Sequence, residues 1–523
     1  MLLSSLPPEL YAAILDNIDD DDIQSSILAL TRAVPHAPVP LERLFESIRL
    51  CTPQSVIHLH RRLRGGQPEA LYVRNLRIQS WTADSQVIIN LLALLDNLTS
   101  LALFVGPNFA PENLLEIFEK PRERLESLSL RFRPYVQRAN YYHFLKGAYF
   151  DPTISAIASW PLSSLHTLSI VQDPSMHQVS FAQPLVFFNF KPLLTLSISP
   201  AAHNITSLCI RIPGRDVGPY LAVAPKSFPA LKVLDLSTGN IKGAQFERIL
   251  ARFDRVQHVR LDSCALLAGR EPDEWAALGK DCALTGARRA RERERALRAW
   301  KEAQEQRIRP SQEQTAAQNR ISKARAGRKG LSTATLSLRG ASEPTLPTSE
   351  SSTSTSDIPP VDPLVLQRKI RVAPLPPSLL TLTTTALPPL IPDQPLQDHH
   401  GPAVALNDHH TELRKSFAEG WESGISQLRS TWTRLRSFSQ NNNTHVMVLT
   451  PGAPPEGSAL DGLEEVNEEG WKKLEAGSYP PPVLCFADEV QSHDGHPGKL
   501  HLAGCGHQIT ETMWGHPEFL GMK

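Results

Sequence analysis

The sequence predicts a mixed α/β chain whose first half is a stack of short strand–helix units, fronted by helices and followed by a half that is only partly ordered. Three observations predict it. One six-residue apolar pattern recurs at near-regular spacing, amphipathic segments lie between several of its copies, and the composition changes abruptly past Leu267.

The pattern is apolar, two variable, apolar, one variable, apolar. It appears as Phe45-Ile48-Leu50, Val73-Leu76-Ile78, Leu98-Leu101-Leu103 and Leu125-Leu128-Leu130. It continues as Leu165-Leu168-Ile170, Ile205-Leu208-Ile210, Leu231-Leu234-Leu236 and Val256-Val259-Leu261. The starts are 28, 25, 27, 40, 40, 26 and 25 residues apart, and the two long intervals each have room for an insertion. The last two apolar positions are two residues apart, so they share one face of a strand. Helices are predicted between the copies. Ala83–Asn97 starts at the capping types Thr82 and Asp84, Pro111–Glu119 opens with proline in a tolerated first turn, and Lys242–Phe253 carries Phe246, Ile249 and Leu250. One strand and one helix cannot bury their apolar faces alone, but stacked units can.

Strand–helix units of this period resemble leucine-rich-repeat proteins, and the resemblance spans residues 45–268. The unit Val256-Gln-His-Val259-Arg-Leu261-Asp-Ser-Cys264-Ala-Leu266 carries the family's fuller pattern, with cysteine at its Asn/Cys turn. The other units place Pro53, Trp81, Gly106, Arg133, Asp173, Pro213 and Gly239 there. A further triplet, Leu193-Leu196-Ile198, lies 12 residues before the next and fits no unit. The resemblance implies an α/β leucine-rich-repeat solenoid that binds protein on its strand face.

Residues 1–44 predict a helical segment. Leu6-Pro7-Pro8-Glu9-Leu10 opens a helix with Leu10, Ile14 and Ile18 in one stripe and Leu15 beside it, and the acidic run Asp19–Asp22 caps a second helix, Ile23–Arg32. Leu6, Pro7, Glu9, Leu10, Ile14, Leu15 and Ile18 resemble the opening of an F-box. That resemblance implies docking on the Skp-type linker subunit of a cullin ubiquitin ligase, with the repeats recruiting a protein substrate. A helix pair that only caps the end of the stack is the alternative.

Variable strand positions face a partner. Arg49, Asn75, Arg77, Ser129, Ser169, Asp235, His258 and Arg260 form the predicted substrate-binding surface, small and hydroxyl-rich in the middle with arginine at both ends. A merely solvated sheet face reads equally well from the residues. The segment Arg133–Phe150, holding four of the eight tyrosines, suits an interface or a satellite core under a long loop.

Residues 269–366 read as a charged helix and a disordered linker inserted into the stack: arginine and glutamate interleave over 287–309, and Ser351–Ser356 are all hydroxyl-bearing. Residues 367–440 predict a last repeat strand, on Leu379-Leu-Thr-Leu382, and an amphipathic helix on Leu413, Phe417, Trp421, Ile425, Leu428, Trp432 and Leu435. Residues 441–523 predict a mostly irregular extension. Cys485, His493, His496, His501, Cys505, His507 and His516 gather there, but only Cys505-Gly-His507 is tight, so no metal ligand set or cofactor is expected.

No phosphate-binding glycine loop and no hydrolase motif occurs, so no enzyme and no catalytic residue is expected. The 54 basic and 54 acidic residues balance, which gives no pull toward nucleic acid or an anionic membrane. No apolar run approaches the roughly 18 residues a bilayer span needs. No basic residue precedes Arg32, and the six scattered cysteines form no CxxC pair. A cytoplasmic or nuclear chain with reduced thiols, monomeric outside any ligase complex, is the expectation.

Overall fold

The structure is a computed structural model. It describes residues 6–18, 20–35, 41–66, 68–133, 149–161, 164–174, 186–221, 227–264, 271–325, 369–385, 401–441, 444–450 and 461–486, with parts of 491–509. Side chains at 20, 21, 41, 305, 307–325, 401–407, 441, 491–493 and 496–498 are outside this description. The chain divides into two compact units, Met1–Arg288 with Pro376–Ser430 and Ala476–Lys523, and Arg289–Leu375 with Thr431–Glu475.

The first unit holds a ten-stranded sheet. Its first eight strands are β1 (Ser47–Leu50), β2 (Asn75–Ile78), β3 (Ser100–Val105), β4 (Ser127–Phe132), β5 (Thr167–Gln172), β6 (Ser207–Arg211), β7 (Val233–Asp235) and β8 (His258–Leu261). Each pairs in parallel with the next, so spatial order follows sequence order. Every apolar residue of the eight triplets is buried. The leading residue packs under the strand entrance and the other two point to the same side, as a period of two requires. At the entrances, the carbonyls of Arg74, Thr99, Glu126, His166, Thr206, Lys232 and Gln257 each accept from two successive amides of the following rung.

Helices connect the strands. After α1 (Pro8–Leu15), α2 (Asp20–Ala33) and α3 (Leu41–Glu46) come α4 (Pro53–Leu63), α5 (Ser85–Leu92), α6 (Pro111–Glu119), α7 (Asp151–Ala158), α8 (Lys191–Ile198), α9 (Gly218–Leu221), α10 (Gly243–Arg252) and α11 (Pro272–Ala283). From α4 onward each touches the next. Local chemistry sets their starts: the Thr52 hydroxyl accepts from the Ser55 amide at 3.2 Å, and the Asp84 carboxylate accepts from the Gln86 and Val87 amides. The turn after β8 carries Ser263 at φ 55°, and the Cys264 thiol donates to the Leu236 carbonyl of the preceding rung at 3.2 Å. That bond is what a cysteine at this turn can supply.

The triplet Leu193-Leu196-Ile198 is helix α8: Leu193 and Leu196 are buried and Ile198 is exposed. A period of three can be read as a strand entrance or a helix face, and here the helix prevails. The tyrosine-rich segment lies almost wholly outside the described residues, though Phe150 is buried with its ring 5.2 Å from Phe132.

The sheet resumes after the charged segment. β9 (Lys369–Ala373) is not part of it, but β10 (Thr381–Thr384) pairs in parallel with β8 as the ninth strand. The tenth is not the end expected from sequence. β13 (Val483–Phe486) pairs with β10, inside a segment predicted to be irregular. Its four residues follow three prolines and lack the leading apolar residue, which hides the repeat. Of the expected amphipathic helix, realised within α13 (Gly401–Asn441), Leu413, Phe417, Trp421, Ile425 and Leu428 are buried in this unit. The helix crosses α11 at very close range. A Cβ on Gly420 would stand 1.8 Å from the Ala276 carbonyl oxygen, and one on Gly279 2.1 Å from that of Phe417. Only glycine at both positions permits the crossing.

The second unit contains most of the charged helix α12 (Thr285–Arg325) and a three-stranded sheet of β9, β11 (Thr444–Leu449) and β12 (Leu463–Glu465). Ala290, Leu297 and Val372 form its core, with Ile370, Leu449 and Leu463 packed against them. The expected bare charged helix therefore buries an apolar stripe. Residues 326–368, read as linker, lie outside the described residues. Among the described residues, no helix is long and apolar enough to cross a membrane.

Candidate functional site

Strand pairing in the first unit lines up one residue per rung: Arg49, Arg77, Ala102, Ser129, Ser169, Cys209, Asp235, Arg260, Thr383 and Cys485. These are the side chains on the face opposite the buried triplets. The row divides into two halves of different character.

In the first half Arg49, Arg77 and Ser129 are partly exposed, as is Asn75 one step earlier on its strand, while Ser169 is nearly covered. Arg49 Nε donates to Gln79 Oε1 at 2.6 Å. One alternation further along, Phe104 is in register with Arg131. The Trp81 ring lies 4.6 Å from that of Phe104, and the Arg131 guanidinium sits 5.1 Å above Phe104 and 5.8 Å from Trp81. Asp173 holds Arg131 through a 2.7 Å ion pair. Gly106 permits this cluster, because a Cβ there would stand 1.7 Å from the Trp81 carbonyl oxygen. Aromatic rings beside arginine are the composition of binding hot spots. Sequence reasoning missed Trp81, Phe104 and Arg131. The signal was present: in Leu103-Phe104-Val105 and Leu130-Arg131-Phe132 the in–out alternation runs one step past the triplet.

In the second half the row is covered. Asp235 and Arg260, predicted as surface contacts, are 0% and 1% exposed. Asp235 accepts from Arg211 Nη2 at 2.6 Å and from the Ser237 amide at 3.0 Å, and Arg260 Nε donates to Asp262 at 2.5 Å. Two arginines thus face two carboxylates. Burial pushes the Asp235 carboxyl up, but the Arg211 and Arg260 guanidiniums beside it prevail and hold it below the usual carboxylate range. Asp262 likewise resists its burial, through the hydrogen bond from His507 and the charge of Arg260, and lies well below its ordinary value. Burial, helped by Asp235, pushes the Cys209 thiol up to about 12. His258 stands beside this half, its Nδ1 3.0 Å from Thr381 Oγ1, and burial lowers its pKa.

At Asp262, Thr381 and Thr383 the cover is the chain's own late segment. His507 and Cys505 are fully buried, and His507 Nε2 lies 3.1 and 3.2 Å from the two Asp262 carboxylate oxygens. Gly506 lies against the strand row, where an added Cβ would meet Thr381 Oγ1 at 2.8 Å and Thr383 Cγ2 at 3.0 Å. Asp235 and Arg260 are therefore core ion-pair residues. A strand position reveals which face a side chain takes, but not that a segment 245 residues later lies upon it.

The N-terminal helices give a second surface. Tyr11, Leu15 and Ile27 are buried together, with Leu6, Ile18, Ile23, Leu30 and Leu44 packed around them. Leu10 and Ile14, expected on the same stripe as Ile18, point outward instead and are 48% and 47% exposed. Pro7 and Glu9 are exposed too, whereas Leu15 is interior and cannot meet a partner. Tyr11, not singled out from sequence, takes the inward place. Gln24 Nε2 donates to the carbonyl of Ser47 on the edge strand β1 at 2.8 Å.

The structure also gathers three groups that sequence spacing kept apart. Cys485, on the tenth strand, meets Cys505 and His507, and one donor atom from each lies within 4.8 Å of the others. The side chains of His493 and His496 lie outside the described residues. No known protein-family model matches the chain, and no curated protein matches it at a significant level.

Proposed function

We propose that this chain is a protein-binding adaptor without chemistry of its own. It is a leucine-rich-repeat solenoid that holds a protein substrate on the open half of its strand row. Its N-terminal F-box-like helices dock on the Skp-type linker subunit of a cullin ubiquitin ligase. One observation carries the ligase link: Leu10 and Ile14 project outward from a helical cluster whose opposite side is already packed. Leu10 and Ile14 lie one turn apart on one outer helix face and together offer an apolar patch on which a partner can dock. The cluster of Trp81, Phe104 and Arg131 supports the substrate surface.

The test is co-purification of the full chain with a Skp-type subunit. We expect a stable complex that weakens at least tenfold on Leu10→Asp or Ile14→Asp, with the unfolding midpoint unchanged because both side chains face outward. No complex with the wild-type chain, or undiminished binding by both variants, overturns the ligase assignment. A second reading is then favoured: a leucine-rich-repeat scaffold whose N-terminal helices only cap the stack. The Gln24 bond to the edge strand is the observation that supports it.

A further inference from the structure

We propose that Cys485, Cys505 and His507 bind a zinc-class divalent ion that fastens the late segment onto the covered half of the strand row, with Asp262 orienting the histidine. His507 Nδ1 lies 3.4 Å from Cys485 Sγ and 3.9 Å from Cys505 Sγ. Two ligands on one tetrahedral ion, with bonds of roughly 2.0–2.3 Å, stand ~3.6 Å apart, so the spacing suits a shared metal. The donor types agree: two thiolates and an imidazole favour zinc over the oxygen-seeking cations.

The outer contacts agree as well. The other ring nitrogen, Nε2, faces the Asp262 carboxylate. A carboxylate there accepts a hydrogen bond from Nε2–H, which fixes the tautomer with the Nδ1 lone pair directed at the sulfurs, the outer arrangement that metal-bound histidines have. Arg260 holds Asp262 from its other side at 2.5 Å. All three donor residues are fully buried, which removes water as a competitor for the ion. Cys505 and His507 are two residues apart across Gly506, the residue whose missing side chain lets the backbone approach Thr381 and Thr383. Cys485 enters from the sheet. The ion would thus join two parts of the first unit, and a fourth ligand would come from a group beyond these three. Binding requires both thiols to lose their protons, so it releases protons and strengthens as pH rises.

The experiment uses the full chain, purified under reducing conditions, stripped with a chelator and titrated with cobalt(II) and then zinc(II). We expect one ion per chain and a thiolate-to-cobalt charge-transfer absorption that zinc abolishes. Cys505→Ser and His507→Gln should each remove that band, while Cys51→Ser, at an exposed thiol elsewhere, should leave it intact. Asp262→Asn should weaken zinc affinity by about 10–100-fold against a competing chelator while the band persists, as a positioning role requires. If the Cys505 and His507 variants do not fold, the wild-type cobalt spectrum decides alone. Failure of the stripped wild-type chain to bind one ion, a cobalt spectrum without thiolate character, or binding unaffected by folded Cys505 and His507 variants overturns the site. None of these results bears on docking at Leu10 and Ile14.

Discussion

The two halves of the strand row share one backbone arrangement and one residue slot per rung, yet they treat charge in opposite ways. Arg49 and Arg77 stay partly in water, while Arg211 and Arg260, on equivalent strands, are buried against Asp235 and Asp262. The difference lies in what covers each half. Where a later part of the chain lies over the sheet, charges must be paired completely, because an unpartnered buried charge is heavily penalised. Where nothing in the described structure covers it, Arg49 and Arg77 keep part of their surface in water. The same strand position is thus interior in one half and half-exposed in the other, and the local surroundings decide between them.

The sharpest challenge to that contrast is Asp235→Ala. It leaves Arg211 and Arg260 with one carboxylate partner fewer in the interior, and we expect about 3–5 kcal/mol of lost stability in urea unfolding. The same variant tests the acid limb. Asp235 has a folded-state pKa below its unfolded value of about 3.9, so its stabilisation is complete above that pH and is lost as pH falls through the folded value. Wild-type stability should therefore fall steeply below about pH 4, and the variant's curve should be flatter there. Next in size is Gly420→Ala at the helix crossing that closes the covered end: its methyl group forces α11 and α13 apart, with about 1–3 kcal/mol expected. The smallest effect belongs to the open half. Arg77→Ala should change the unfolding free energy by no more than about 0.5 kcal/mol. A penalty for Arg77→Ala comparable to that for Asp235→Ala would mean that both halves are core, and the contrast would be lost.

Most of the strand architecture could be read from the sequence. Leucine and isoleucine at fixed offsets have to point inward, so all eight triplets become adjacent strands in sequence order, and Leu379 and Leu382 add a ninth after the inserted segment. The failures have physical reasons. Leu193, Leu196 and Ile198 satisfy two periods at once, and only packing selects the helix. Val483–Phe486 is too short and too closely preceded by proline to announce itself. At the sites the limit is distance along the chain. Nothing local to Asp235, Arg260 or Asp262 foretells a histidine at 507, and Cys485 shows no ligand spacing until the sheet brings it beside Cys505. On the N-terminal helix, the choice between Leu10 and Tyr11 for the inner face turns on a helix rotation of one residue.

The separation between Asp262 and His507 also has a consequence during synthesis. At roughly 5–20 residues per second, the 245 residues between them take about 10–50 s to emerge from a ribosome. For that time the eight earlier rungs can assemble from near neighbours while Asp262 lacks its histidine, and for the first half of it the free side of β8 waits for β10, whose Thr381 lies 123 residues beyond His258. A waiting strand edge is an invitation to pair with another nascent chain. Truncation anywhere before the last strand should therefore yield not a shorter working protein but one prone to aggregate, and a chaperone's most useful moment falls within that interval.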